Sequence, residues 1–292
     1  MKTREWLLLI FLSVLWGGSF FLIKVALLDL PPLTIVLSRV SLAAIVLTAF
    51  VYLRGQKLPT SPRLWRSFFV MGALNTLIPF SLIVWGETQI SSSLASVINA
   101  TTPVFTVLLA HLLTREESLT FNRTIGVIFS FCGVIVLVGS DVLQGMKSQS
   151  LGQLAVMGAT FCYGCASIYG RRFREIPAVV TAAGMLCATT VMLLPLTFML
   201  ETPWTLNPTA ATWGALFALG FVNTAIAYLV YFHLLAVAGA INTSLVTFLI
   251  PISALFLGVF ILHEPLHRNT FAGMILIFLG LAAIDGRLFK TS

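Results

Sequence analysis

Two stretches of the sequence decide how this chain is organised: GALNTLIPF at residues 72–80 and GFVNTAIAY at residues 220–228. Each sets Gly-x-x-Asn-Thr within an apolar run and places an aromatic ring four positions after the threonine. Sliding the chain over itself by 148 positions superposes the two stretches. The same shift aligns further polar residues and prolines: Ser96, Pro103 and Glu116 with Ser244, Pro251 and Glu264. Aligned leucines mean little in an apolar chain, whereas residues of these types indicate an internal repeat.

The composition predicts an all-α polytopic membrane protein. Of the 292 residues, 58% are hydrophobic and 9% charged, whereas soluble domains carry about a quarter charged residues. The mean hydropathy is +1.00, and apolar runs of about 20 residues, the length needed to cross a bilayer, recur along the chain. The net charge of +7 is spread over short connections and forms no continuous basic surface, which argues against a nucleic-acid partner. The expected partners are the lipid bilayer and a small-molecule substrate, with the protein a monomer or weak homodimer.

Charges, prolines and polar clusters divide the chain into ten predicted transmembrane helices. Their approximate ranges are 5–27, 32–53, 65–86, 92–113, 122–139, 151–171, 178–200, 211–234, 240–262 and 269–287. With the N-terminus in the cytoplasm, 13 lysines and arginines fall on the cytoplasmic side and only Lys24, Lys147 and Arg268 on the other. Because positive charge favours the cytoplasmic side, the distribution predicts an N-in, C-in protein, which requires an even number of helices.

The repeat then predicts two halves of five helices each, residues 1–145 and 146–292. Five is an odd number, so the two halves enter the membrane in opposite orientations. Inverted repeats of this kind are typical of secondary transporters, whose substrate site lies between the halves near the midplane of the membrane. The sequence therefore predicts a multi-pass transporter of the cell membrane, the inner membrane in a bacterium.

The repeated polar residues are the candidate substrate ligands. A side-chain amide in hydrocarbon needs a partner or a wet cavity, so Asn75 and Asn223 are either bonds between helices or cavity-lining groups. Ser96 and Asn99 precede Pro103 at helical spacing, and Ser244 and Thr247 precede Pro251 in the same way. These positions suit a substrate contact beside a loosened helix turn, although a packed, kinked helix would show the same pattern.

Aromatic rings near these polar groups suit a flat or apolar substrate. The predicted substrate-binding residues are Trp16, Ser19, Asn75, Phe80, Ser96, Asn99, Tyr163, Ser167, Asn223, Tyr228, Ser244 and Thr247. The predicted hinge residues are Gly17, Pro79, Pro103 and Pro251. Two glycine pairs seven residues apart are predicted to allow close helix packing: Gly126 with Gly133, and Gly273 with Gly280.

Other motifs are less informative. Arg39, two turns into the second span, suits contact with an anionic group or anchoring of a helix, and equally a structural salt bridge or snorkelling. HEPLH at residues 263–267 matches a zinc pattern, but Pro265 disrupts the helix that the two histidines would need. We therefore expect no metal and no cofactor. An enzyme would need a catalytic pair on facing helices, and the sequence offers none.

The chain resembles the EamA-type proteins of the drug/metabolite transporter superfamily. The resemblance lies in LWGGSFFLIK at residues 15–24, in Arg39, and in the run from Pro103 to residue 137, which is loosely repeated from Pro251 to residue 284. It implies a ten-helix transporter, often an exporter, that works by alternating access. It also implies a cavity lined by the first, third, fourth, sixth, eighth and ninth helices, with Glu116 and Glu264 in a structural signature.

Within that family the chain is similar to the YddG-type exporters of aromatic amino acids. The expected function is therefore export of small metabolites, above all amino acids including aromatic ones. Related proteins carry other cargo, so nucleotide sugars, purines, choline and cationic drugs stay open as alternatives. No carboxylate lies clearly at the membrane midplane, and movement down a gradient is the simplest driving force.

Overall fold

The computed structural model describes residues 2–113, 120–143, 148–265 and 268–285, and these residues are helical almost throughout. The first half contains α1 Thr3–Ala26, α2 Pro32–Leu53, α3 Pro62–Gly72, α4 Ile78–Glu87, α5 Ser92–Asn99, α6 Thr102–Leu113 and α7 Phe121–Leu143. The second half contains α8 Ser148–Tyr169, α9 Ala178–Leu200, α10 Ala210–Phe217, α11 Ala227–Thr243, α12 Val246–Phe260 and α13 Arg268–Asp285. Short 3₁₀ segments follow at Gly170–Phe173 and Pro203–Thr205.

Seven helical segments of the described chain are long and apolar enough to cross a membrane. They are Thr3–Ala26, Pro32–Leu53, Pro62–Glu87, Ser92–Leu113, Ser148–Phe173, Ala178–Leu200 and Ala210–Gly239. Three shorter apolar helices, Phe121–Leu137, Val246–Phe260 and Arg268–Ile284, coincide with the remaining predicted spans. The ninth predicted span differs at its start: residues 240–243 continue α11 beyond a kink at Gly239, whose φ of 79° favours glycine.

The repeated Asn-Thr motif falls in two π-helical segments, Ala73–Leu77 and Ala218–Ile226. In each, the threonine hydroxyl donates to a carbonyl of the preceding turn: Thr76 to Gly72 at 2.8 Å and Thr224 to Leu219 at 2.7 Å. Such side-chain bonds compete with the regular helical ladder. π-Helical turns are rare and frequently mark functional sites, so the motif gives both halves the same local distortion.

Helix packing follows the repeat. In the first half α1 packs against α12, and its repeat counterpart α8 packs against α5 and α6. The counterparts α2 and α9 pack against each other, as do α7 and α13. Each of these contacts joins the first five spans to the last five, so the bundle is held together mainly across the two halves.

Glycines allow the backbones of α7 and α13 to come into direct contact, which confirms the packing role predicted for these glycines. A Cβ atom on Gly126 would lie 2.5 Å from the Gly280 carbonyl oxygen, and one on Gly133 would lie 2.7 Å from that of Gly273. Only residues without side chains allow helices this close. We call this contact the glycine seam.

One end of the bundle, which we call the capped end, is closed by three carboxylates. Glu201, after α9, accepts from the backbone N–H groups of Leu33 and Thr34 and from the Thr34 hydroxyl, at 2.8, 2.6 and 2.9 Å. Asp29, after α1, accepts from the backbone and hydroxyl of Thr209, at 2.9 and 2.7 Å, and from the Thr212 hydroxyl. Carboxylates suit these positions because the first N–H groups of a helix lack intrahelical partners and favour negative charge.

The third cap joins Glu264 to α5. Its carboxylate accepts from the backbone N–H groups of Ser92 and Ser93, at 2.7 and 3.0 Å, and from the Ser93 hydroxyl at 2.7 Å. Burial opposes ionisation of this carboxyl, but the hydrogen bonds outweigh burial and lower its pKa below the usual value of 4.5. The bonds from Thr212 and Thr209 likewise lower the pKa of Asp29. Glu264 thus has a capping role, whereas its repeat partner Glu116 lies outside the described residues.

Candidate functional site

A cavity of about 750 Å³ lies between the two halves. Eleven of the twelve predicted substrate-binding residues line it: Trp16, Ser19, Asn75, Phe80, Asn99, Tyr163, Ser167, Asn223, Tyr228, Ser244 and Thr247. Helices α2 and α9, which the family resemblance did not include, also contribute, through Arg39 and Met185 among others. The repeat therefore brings residues distant in sequence to one site.

Ser96 is the exception and is not part of the cavity wall. It is fully buried, and its hydroxyl donates to the Ser93 carbonyl at 2.7 Å. The sequence prediction treated residues 92–113 as one continuous helix with Ser96, Asn99 and Pro103 on one face. The structure breaks this span between α5 and α6, and Pro103 lies in the first turn of α6, where proline is well tolerated. Asn99, at the end of α5, is the member of the set that reaches the cavity.

The cavity extends away from the capped end. Exposed Ser167 and Ser244 line it at the opposite end of the bundle, which we call the open end. Its closed floor includes the buried side chains of Ile23, Ile83 and Val84. Beyond this floor the Lys24 ammonium donates to the Glu87 backbone carbonyl. The structure thus holds the cavity open at one end and sealed at the other.

Arg39 is buried in the cavity wall, with 7% of its surface exposed. Its Nε donates to the Thr224 hydroxyl at 2.8 Å, so the π-helical segment of the second half holds it. The guanidinium lies over the Phe80 ring, 4.1 Å from the centroid, a favourable cation–π distance. The described residues form no salt bridge with Arg39, since none of their carboxylates lies within 4 Å of it. Of the other roles that the sequence left open, the bond to Thr224 fits the anchoring of a helix.

Aromatic rings form much of the remaining wall. Trp16 and Tyr231 are 5.4 Å apart between ring centroids, and Tyr228 stacks on Phe232 at 5.8 Å. Tyr231 and Phe232 were not predicted, although their spacing of three and four residues after Tyr228 is the helical signal that would have found them. The wall therefore offers flat apolar surface beside a small number of polar groups.

The two asparagines of the repeated motif have different surroundings. Asn223 is 4% exposed and donates to the Leu15 carbonyl and, at 3.3 Å, to the Ser19 hydroxyl. Asn75 is less buried, and its amide lies 3.4 Å from the Tyr228 hydroxyl and 3.6 Å from the Met185 sulfur. Asn223 therefore fixes α10–α11 to α1 as well as lining the cavity, whereas the Asn75 amide has only weak partners.

We expect Asn223→Ala and Asn75→Ala to differ. Loss of a buried hydrogen bond between helices costs about 1–2 kcal/mol, so Asn223→Ala should lower the thermal midpoint of the purified protein. Asn75→Ala should leave that midpoint within about one degree and weaken substrate binding about two- to tenfold, the range of one hydrogen bond. Equal losses of stability in both variants would show that Asn75 is also chiefly structural.

The predicted hinge residues lie at different kinds of position. Helix α1 runs unbroken through Gly17, which packs against Ser253 and the Ile250 carbonyl of α12. Pro79 follows the first π-helical segment, and Pro103 follows the break after α5. Pro251 lies inside α12. Movement at these residues stays a prediction.

In the described part of the chain, no three histidine, cysteine, aspartate or glutamate residues lie together so that they could hold a metal ion. Within HEPLH, Glu264 is occupied as the cap of α5, and His267 lies outside the described residues.

Membrane-crossing helices around a cavity closed at one end are the architecture of a membrane transporter. The chain belongs to the EamA-like transporter family, whose model matches it twice, over residues 4–139 and 150–284. The two matches agree with the internal repeat read from the Asn-Thr motif. The protein is thus a multi-pass membrane transporter, as its resemblance to this family predicted.

Several relatives that match this chain over most of their length are named as transporters. The chain is 27% identical to "Uncharacterized transporter YoaV" of Bacillus subtilis, covering 94% of each sequence. It is 26% identical to an "Uncharacterized transporter" of Archaeoglobus fulgidus, covering 95% of this chain and 97% of the relative. It is also 26% identical to "Uncharacterized inner membrane transporter YedA" of Escherichia coli K12, covering 88% and 82%.

One solved crystal structure superposes on the whole chain with a TM-score of 0.70, covering 100% of both chains at 20% sequence identity. At this identity the likeness shows the fold.

Proposed function

We propose that the protein exports small metabolites, chiefly amino acids including aromatic ones, by alternating access through the central cavity. In this proposal ten helices cross the membrane as two inverted halves, residues 1–145 and 146–292, with both termini in the cytoplasm. The protein would lie in the inner membrane of a bacterium, as the name of the E. coli relative says of that protein.

The position of basic residues supports this orientation. The 3₁₀ segment at the open end carries Arg171 and Arg172, with Arg174 directly after it. The segment joining α2 to α3 adds Arg54 and Lys57 at the same end. At the capped end the connections after α1 and α9 carry Asp29 and Glu201. Because lysine and arginine favour the cytoplasmic side, the open end faces the cytoplasm in this proposal, and a cavity open at that end suits the loading of substrate for export.

The observation that carries the substrate proposal is the composition of the cavity wall. Aromatic rings of Trp16, Phe80 and Tyr228 lie beside amide and hydroxyl groups such as those of Asn75 and Ser19. Binding sites of this kind bury an apolar body and orient it through a few polar contacts. An aromatic amino acid has both parts, and about 750 Å³ lies within the usual range for small-molecule pockets.

Flux in liposomes tests the proposal. Purified protein is reconstituted, and efflux of labelled tryptophan, phenylalanine and leucine is measured against empty liposomes and against liposomes holding Trp16→Ala. We expect protein-dependent tryptophan flux that unlabelled aromatic amino acids suppress and that persists without a proton gradient. Flux of a nucleotide sugar or purine with no flux of any amino acid would contradict the substrate and leave the transport mechanism standing.

A further inference from the structure

Among the described residues that line the cavity, the charged ones are arginines. Arg39 lies in the deep part of the wall and exposed Arg174 at the open end, and none of the described lining residues is an aspartate or glutamate. Ionisable groups buried in a membrane protein usually pair with one another or mark a substrate path. The described lining therefore carries positive charge and no acidic side chain.

The contacts of Arg39 hold the guanidinium without neutralising it. Thr224 accepts one hydrogen bond from Nε, and Phe80 stabilises the charge through its ring face. The remaining N–H donors have no hydrogen-bond partner among the described residues. Tyr163 and Tyr228, which line the cavity, and the buried carboxyl of Glu87, which does not, lie near enough to interact electrostatically with the guanidinium. The cation is fixed in orientation and free to donate.

We propose that Arg39 binds the carboxylate of the substrate, so that the cavity selects small molecules with a carboxylate and an apolar or aromatic body. A planar guanidinium donates two parallel hydrogen bonds to a carboxylate, which gives strong and directional binding. The apolar body then packs on the aromatic wall. Cations such as choline and cationic drugs are disfavoured because they meet the like charge of Arg39. This inference rests on the proposed transport function and names the chemical group that the site recognises.

Three ligands that share the indole ring test the inference on the wild-type protein. Tryptophan carries a carboxylate and an ammonium, indole-3-propionate the carboxylate alone, and tryptamine the ammonium alone. We expect tryptophan and indole-3-propionate to bind, and tryptamine to bind at least about tenfold more weakly, as measured by titration with matched empty micelles as blank. Tryptamine binding as tightly as tryptophan, or no binding of any of the three, overturns the inference.

Substitutions assign the effect to Arg39. Arg39→Gln should weaken both carboxylate ligands at least about tenfold, since a charge-assisted bond is lost. It should not weaken tryptamine, because the like charge that opposes the ammonium is removed. The affinity of Arg39→Lys for the carboxylate ligands should lie between those of wild type and Arg39→Gln, because an ammonium keeps the charge but lacks the planar pair of donors of a guanidinium. Arg54→Gln, the matched control, removes an exposed arginine at the end of the same helix, α2, outside the cavity lining, and should bind within about twofold of wild type. Tryptophan binding to folded Arg39→Gln at wild-type affinity overturns the inference. If that variant does not fold, the ligand comparison on wild type still decides.

The result separates this inference from the amino-acid proposal. Arg39-dependent binding and flux of indole-3-propionate, with no flux of any amino acid, would contradict the amino-acid proposal and support the carboxylate site. Amino-acid flux that is equally fast in Arg39→Gln would do the reverse.

Discussion

Gly280→Leu is expected to prevent stable packing of α7 against α13 and to lower the yield and the thermal midpoint of the purified protein sharply. Even the Cβ of alanine at this position would lie 2.5 Å from the Gly126 carbonyl oxygen and 2.7 Å from the Ser130 backbone nitrogen. Backbone atoms of a packed helix cannot move aside as the end of a long side chain can. Overpacking of this kind costs about 1–3 kcal/mol for a small group, and leucine should cost more than alanine.

Gly214→Ala and Gly214→Leu are the matched controls. Gly214 also lies in an apolar helix, α10, but a Cβ there would have no neighbour within 4 Å. Alanine favours helix more than glycine does, so Gly214→Ala should keep or slightly raise the thermal midpoint. Gly126→Ala combined with Gly280→Ala should destabilise the protein by less than the sum of the two single variants. Either substitution alone already pushes α7 and α13 apart, and the second then meets less crowding. If the Gly280→Leu protein were as stable as the Gly214→Leu protein, close packing at the glycine seam would not be needed for stability.

Glu264→Gln is expected to loosen the capped end and to destabilise the protein by about 1–3 kcal/mol, the cost of weakening charge-assisted hydrogen bonds. The amide keeps the shape of the side chain but loses the charge. Its nitrogen is a donor and cannot accept a hydrogen bond from the N–H or O–H group that it then faces. The thermal midpoint of the purified protein at neutral pH measures the effect.

The same bonds predict how stability depends on acidity. The pKa of Glu264 is lower in the folded protein than the usual 4.5, so its contribution is complete above that value. It is lost as the pH falls through the folded pKa, because the unfolded chain then takes up the proton first. Wild type should lose stability on acidification below about pH 4.5, and Glu264→Gln should lose less over that interval. Parallel pH profiles for the two proteins would contradict the assignment.

Glu87→Gln is the control for the loss of a carboxylate at the capped end. Glu87 is fully buried, and neither carboxylate oxygen has a hydrogen-bond partner among the described residues. Glu87 has no capping bonds to lose, so replacing the acid with an amide of the same shape should reduce stability less than Glu264→Gln does. Equal losses would mean that the capping bonds are not the cause.

The architecture was open to prediction because it follows from chemistry that the sequence carries directly. Apolar runs located the spans, and polar residues repeated at a fixed shift located both asparagines of the cavity. The glycines spaced seven residues apart identified the faces of α7 and α13 that meet. These signals are local or periodic, and tertiary contacts did not override them.

The missed features depend on contacts between distant residues. The bond from Arg39 to Thr224 joins positions 185 apart, and nothing in either local sequence names the other. The π-helical turns accompany hydrogen bonds from the threonine hydroxyls to carbonyls of the preceding turn, and the hydrophobic periodicity of the sequence does not reveal such bonds. Ser96 was misplaced because helical spacing alone does not show which side of α5 meets the cavity, and its hydroxyl bonds within its own helix, to the Ser93 carbonyl. Pro103 was interpreted as a kink within a helix, although the first turn of a new helix suits proline equally well.

The capped end also sets an energy scale for the transport cycle. Glu201 and Glu264 accept six hydrogen bonds from the opposite half, which together stabilise the sealed state by roughly 3–9 kcal/mol at the net value of a typical bond. Reversing a two-state preference from 1:99 to 99:1 takes about 5.5 kcal/mol of differential affinity. One small substrate can hardly supply that by itself. The bonds lost when the capped end opens must therefore be offset by comparable bonds that form when the open end closes. The two conformations then have similar free energies, and the transporter can return to its starting state after each substrate is released.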